Sequence, residues 1–146
     1  MAGDVTVTGW IPYDRVPEML IEAKIGLVTL LDQPKFRKNI ACKAFEYMAR
    51  GMPCVCSDLP PQRVFIREGE NGLFYRPGDA EGLADRIALL LDDPARAAAM
   101  GETGRQDVER YWNAERDQEV LRGFYRRLLG GPGSVRSAGT AGGAAG

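Results

Sequence analysis

The stretch NIACKAFEYMARGMPCVCSD, residues 39–58, contains a helix that stops and a strand that starts. At about 100° per residue, Ala41, Ala44, Phe45 and Met48 fall on one side of a helix expected from about Ile40 to Arg50. With Asn39 set at zero, Lys43 lies near about 40°, Glu46 near about −20° and Arg50 near about 20°, a tight polar row opposite that apolar stripe. Gly51 suits the C-terminal stop, because the left-handed conformation that closes many helices costs glycine least. PCVCS (53–57) then reads as a short strand buried on both faces. A helix leading straight into a buried strand is part of an α/β unit, so the flanking sequence decides how many such units exist.

Upstream, VTVTG (5–9) alternates β-branched residues and predicts a strand. Asp14 is placed to cap a helix with Val16, Met19, Leu20 and Ala23 on one face. IGLVTLL (25–31) reads as a second buried strand, and DQPKFRKN (32–39) as a polar, basic loop. Downstream, PPQRVFIREGENG (60–72) predicts a turn, a short helix and a second turn, and LFYRPGD (73–79) holds a last strand. Asp79 is expected to cap a helix carrying Leu83, Ile87, Leu90 and Leu91. Asp93 and Pro94 open another helix, which runs to about Tyr111. Asn113 caps a final one whose apolar stripe is Val120, Leu121, Phe124, Tyr125 and Leu128. Residues 131–146 are rich in Gly and Ala with nothing to bury, and are expected to form a disordered tail behind a folded domain over 1–130. Four strands alternating with helices predict an α/β fold: a partial Rossmann-like open parallel sheet with helices on both faces. Such sheets bind ligands at the carboxyl ends of their strands.

Composition narrows the chemistry. The 146 residues suit one domain, and 19 basic against 20 acidic side chains give a net charge of −1. A balanced charge argues against broad nucleic-acid binding, which needs a basic excess. Histidine is absent, which removes the commonest general base and zinc ligand, and no metal site is expected. The cysteines are Cys42, Cys54 and Cys56. An odd number without a secretory signal reads as reduced thiols in a cytoplasmic protein, and as small buried hydrophobes rather than a redox site. No apolar run approaches the ~20 residues of a transmembrane helix.

The polar row admits two readings. In one it is a solvated face, with Lys43–Glu46 and Glu46–Arg50 pairs worth a few tenths of a kcal/mol each. In the other, Lys35, Arg37 and Lys38 cluster at the helix amino end, where unpaired N–H groups and the dipole favour a phosphate. Glu46 stands too far along to meet that phosphate and would accept hydrogen bonds from a hydroxylated ring such as a ribose. Ser57 and Asp58, at a strand's carboxyl end, either line the cleft or close a turn.

FEYMARGMPCVCSD, ENGLFYRPGDAEGLA, LLLDDPARAAAMGETGR and the terminal aromatic helix, in this order, resemble the C-terminal, donor-binding half of GT-B fold glycosyltransferases. The chain looks most like the group 1 enzymes (family 4, retaining), over residues 5 to about 129. The resemblance places Glu46 at the second Glu of the family's Glu-x7-Glu motif, which binds the donor ribose. The position of the first Glu holds Lys38, a departure. The text around Asn39 and Lys43 approaches the Asn-Lys-x-x-Glu-Tyr-Met-Ala variant, making Asn39, Lys43 and Lys38 candidate contacts to the diphosphate or sugar. It implies a nucleotide-sugar donor as substrate, no cofactor or metal, and no identified catalytic residue.

The family's enzymes carry an acceptor-binding domain and further strand–helix units before this region. The expectation is therefore a truncated glycosyltransferase piece, not competent alone, that needs an N-terminal acceptor domain or a partner chain and leaves a sheet edge open. The alternative is a non-catalytic nucleotide-sugar-binding or interaction module that pairs with a separate acceptor-domain chain.

Overall fold

The computed structural model describes residues 4–129. Strands β1 (Gly26–Val28), β2 (Cys54–Ser57) and β3 (Gly72–Tyr75) form a parallel sheet in the order β1-β2-β3, with Leu27, Val55 and Leu73 in register. The helices are α1 (Val16–Met19), α2 (Cys42–Ala49), α3 (Ala80–Asp92), α4 (Pro94–Tyr111) and α5 (Ala114–Leu128). Single 3-10 turns stand at Tyr13–Arg15, Phe36–Lys38 and Gln62–Val64. The chain divides between Tyr111 and Trp112 into two compact units, the first holding the sheet with α1–α4 and the second holding α5. The tail expected over 131–146 lies outside the described residues.

The two-faced burial expected of the sheet is present. Cys54, Cys56 and Phe74 point to one side, where they pack with Ala44 and Met48 of α2 and with Phe65 and Ile66. Val55, Leu73 and Tyr75 point to the other, against Leu90 of α3 and Met100 of α4. This alternation is the period-2 geometry of a strand, applied where both faces are covered. Helix α2 ends as predicted. Gly51 adopts φ +68°, its N–H bonds the Met48 carbonyl at 2.8 Å, and the Met52 N–H bonds that of Tyr47 at 3.0 Å. These are the two bonds of a Schellman closure. Asp79 and Asn113 cap α3 and α5, accepting from the N–H groups of Gly82 and Arg116 at 2.9 Å each.

Three expectations are corrected. Residues 5–9 form no strand: Val5 and Val7 are 73% and 87% exposed. Alternating β-branched residues become a strand only when a ladder partner fixes them, and among the described residues none lies beside this segment. The helix expected from Asp14 to Ala23 shrinks to a 3-10 turn and the single turn of α1, because its apolar face finds little to pack on and short helices need that packing. β1 is confined to Gly26–Val28. Beyond it, the Leu30 N–H turns to the Ser57 hydroxyl at 2.7 Å.

The edges of the sheet are treated differently. At β3 the Phe74 N–H is taken by the Glu68 carboxylate at 2.5 Å, so a side chain occupies a position another strand would use. β1 forms the opposite edge.

Behind the sheet a buried polar network joins the 65–72 loop to α4. The Asn71 amide donates to the Phe65 carbonyl at 2.9 Å and to the Asp107 carboxylate at 2.7 Å, and its oxygen accepts from the Arg67 N–H at 2.7 Å. Arg67 also reaches Asp107 at 2.9 Å. Asn71→Leu would leave the buried Asp107 and the Phe65 carbonyl short of donors. It is expected to cost about 3 kcal/mol, read as a lowered urea midpoint with an unchanged slope.

The thiols divide by position. Cys54 and Cys56 are buried, and hydrogen bonding with Cys56 together with burial pushes the Cys54 thiol well above its ordinary range. Cys42 is exposed. In native protein, Ellman's reagent is expected to titrate Cys42 alone, with the other two thiols reacting only after denaturation.

Candidate functional site

The polar row centres on α2. The helix begins two residues later than predicted, at Cys42, with Ala41 as its N-cap. Asn39 is consequently extended, at φ −112° and ψ 124°, and lies outside the helix rather than on its polar face. Lys38 closes the 3-10 turn before it. The N-cap position falls on Ala41, which offers no side-chain acceptor, although Asn39 is of a residue type that caps helices well. Among the described residues the N–H groups of Cys42 and Lys43 have no protein partner.

Of the basic cluster before α2, Arg37 is committed. It grips Asp32 through two bonds of 2.6 Å and thereby holds that carboxyl below its ordinary value. Lys35 lies 4.5 Å from the ring centroid of Phe36. Lys38 and Lys43 form no ion pair among the described residues. The positive charge open to a ligand at this end therefore comes from lysines rather than from the arginine.

Glu46 stands about 6 Å along the axis from Cys42. Neither the Lys43–Glu46 nor the Glu46–Arg50 pair forms among the described residues. The carboxylate accepts from the Tyr13 hydroxyl at 3.2 Å instead. It is half-buried and lines a crevice of about 330 Å³ with Tyr13, Val16, Pro17, Leu20, Ala49 and Arg50. Tyr13 was not legible as a neighbour of Glu46: 33 residues separate them, and no spacing rule links a turn residue to a helix that far away.

Ser57 and Asp58 do not join this crevice. The Ser57 side chain is fully buried, donating to the Val28 carbonyl at 3.1 Å while the Leu30 N–H and Tyr75 hydroxyl lie at 2.7 and 3.0 Å. A hydroxyl has one proton and two lone pairs, so its capacity is filled and it ties the three strand ends together. Asp58 forms a bidentate pair with Arg63 at 2.6 and 2.7 Å, on a separate crevice shared with Glu68, Arg76 and Arg86. Of the two roles left open for these residues, Ser57 takes the structural one and Asp58 faces a different surface.

Gln62 carries no sequence signal either. Its side chain is fully buried, its Nε2 lies 3.4 Å from the Asn39 carbonyl, and its Oε1 has no partner among the described residues. Among the described residues no group of three metal-ligating side chains comes together, and no helix is long and apolar enough to cross a membrane.

Residues 1–107 match the family described as Glycosyl transferases group 1. The chain is 31% identical over 103 residues to the lipopolysaccharide core biosynthesis mannosyltransferase LpcC of Rhizobium leguminosarum, covering 70% of this chain and 29% of that protein. Among solved structures it resembles the sucrose-phosphate synthase of Thermosynechococcus elongatus, with a TM-score of 0.67 and 30% identity over 74% of this chain and 26% of that one. Anabaena HepE, solved in complex with UDP, has the same fold, with a TM-score of 0.66 and 17% identity over 75% of this chain and 29% of that one. The chain thus spans between a quarter and a third of the length of these proteins. The ordered motifs of residues 45–107, the parallel sheet covered on both faces and these likenesses agree: the chain belongs to the group 1 glycosyltransferases and has part of the GT-B fold.

Proposed function

We propose that this chain is the donor-binding portion of a glycosyltransferase that moves a sugar from a nucleotide-sugar to an acceptor hydroxyl. In this reading the pyrophosphate rests on the amino end of α2, held by the free N–H groups of Cys42 and Lys43 and by the ammonium groups of Lys38 and Lys43. The ribose hydroxyls donate to Glu46. As the bond from the anomeric carbon to the phosphate oxygen breaks, negative charge collects on the leaving diphosphate, and the same donors stabilise it there. The acceptor hydroxyl oxygen forms the new bond to that carbon, and its proton passes to the leaving diphosphate. The acceptor must come from across a cleft whose other wall lies in the longer protein, since positioning of two reactants supplies much of such a rate.

One observation carries the reading. A half-buried carboxylate on α2 faces a crevice without being neutralised by the cations three and four residues away. A solvated decorative face would be expected to pair them. The poorly capped amino end of the same helix, with unpaired lysines beside it, supports the phosphate half. The UDP complex of HepE, which shares the fold, is consistent with a nucleotide as ligand.

Calorimetry with UDP-, GDP- and ADP-linked sugars tests the reading, on this chain and on a longer protein that restores an acceptor domain. Binding of one nucleotide series is expected in both, with transfer only in the longer protein. Absence of binding in both would remove the proposal. Binding without transfer in the longer protein would favour the non-catalytic module.

A further inference from the structure

Glu46 follows Lys43 by three residues and precedes Arg50 by four, the two spacings at which side chains on a helix meet. A glutamate four residues before a cation is the favoured order of such a pair. Its Oε1 nevertheless accepts from the Tyr13 hydroxyl, and its Oε2 has no partner among the described residues. Tyr13 opens the 3-10 turn Tyr13–Arg15, and with Val16, Pro17 and Leu20 it forms one wall of the crevice. Glu46, Ala49 and Arg50 of α2 and its C-cap form the other. The hydrogen bond joins the two walls. Arg15 of the same turn is engaged with Glu18 at 2.9 Å, so the turn offers Glu46 a hydroxyl and not a guanidinium.

The choice of partner decides what the carboxylate can still do. A guanidinium binds both oxygens of a carboxylate at once and neutralises it. A phenol hydroxyl has one proton to give and carries no charge, so about three of the carboxylate's roughly four acceptor positions stay open. A side chain already held at one oxygen also has less rotational freedom to lose when a ligand arrives. We propose that Tyr13 is a positioning residue of the donor site: its hydroxyl holds Glu46 toward the crevice and away from Arg50, so that the free oxygen meets the ribose. This rests on the assignment of Glu46 to the ribose.

Calorimetry of the full chain with UDP, GDP and ADP, and then with the 2′,3′-dideoxy form of whichever binds, tests the role. Tyr13→Phe is expected to weaken the ribonucleotide about fivefold, the effect of one hydrogen bond. It should leave the affinity for the dideoxy form unchanged, because that ligand has no hydroxyl for Glu46. A merely structural role would weaken both alike. Tyr13→Phe/Arg50→Met is expected to recover most of the loss, since the competing cation is gone. Tyr13 is 75% exposed and phenylalanine keeps its ring, so an unchanged melting temperature serves as the folding control. If Glu46→Gln weakens the ribonucleotide but Tyr13→Phe does not, or weakens both forms equally, the role of Tyr13 is overturned and the ribose assignment stands. No recovery in the double variant would likewise overturn it. Absence of nucleotide binding, or full affinity in Glu46→Gln, would remove the ribose assignment and this role with it.

Discussion

Gly101→Ala is expected to destabilise the protein by about 3–5 kcal/mol, read as a large fall in melting temperature. Gly101 is where α4 passes the end of α2. A β-carbon there would overlap the Gly51 carbonyl oxygen and lie 2.6 Å from its carbon. Both obstacles are backbone, so no rotamer change relieves them. Gly51 cannot retreat either, because φ +68° and the two closing bonds to Tyr47 and Met48 hold it. Gly123 of α5 provides the contrast: an added β-carbon there meets nothing within 4 Å. Gly123→Ala is expected to be neutral or to stabilise by up to about 1 kcal/mol, the helix preference of alanine over glycine. Thermal unfolding followed by circular dichroism separates the two. A Gly101→Ala melt within a few degrees of the parent would mean that α4 does not approach α2 this closely.

Glu46→Gln is expected to weaken nucleotide-sugar binding by about 2 kcal/mol, roughly thirtyfold in Kd. The substitution keeps the size of the side chain and an oxygen for the Tyr13 hydroxyl, but removes the charge that strengthens hydrogen bonds from ribose hydroxyls. Asp58→Asn is the matched control. It removes a carboxylate from the other crevice, where Arg63 holds it, and is expected to leave affinity unchanged. Equal losses for the two variants, or none for Glu46→Gln, would separate the ribose from Glu46.

The buried elements were legible because they carry two signals at once. PCVCS has an apolar run and a preceding Gly51 stop, and it folds as the central strand within one residue of its expected start. Asp79 and Asn113 declare themselves as caps through their type and position, and the cap bonds form. The misses fall where only one signal was present. VTVTG has strand periodicity but no ladder partner among the described residues, and periodicity cannot report a partner's absence. The segment from Asp14 has a helical stripe with nothing to bury it against, so Met19 and Ile21 stay exposed.

The candidate site follows the same division. Glu46 and Lys43 could be placed on one helix face from spacing alone. Asn39 could not, because its place depended on a helix start that falls at Cys42, with Ala41 rather than Asn39 as the N-cap. Ser57 looked like a cleft residue by position at a strand end. Only the convergence of Val28, Leu30 and Tyr75 on its hydroxyl shows that its bonding capacity is filled inside the sheet.

The proposed function depends on where a nucleotide sits. Backbone amide NMR of the chain, titrated with UDP, GDP and ADP in turn, locates it directly. One of the three is expected to shift the amides of Cys42 and Lys43 and those surrounding Glu46, while the apolar groove at the opposite end of the strands, by Lys24, Pro53 and Leu91, stays unmoved. Shifts concentrated in that groove, with the amino end of α2 silent, would contradict it.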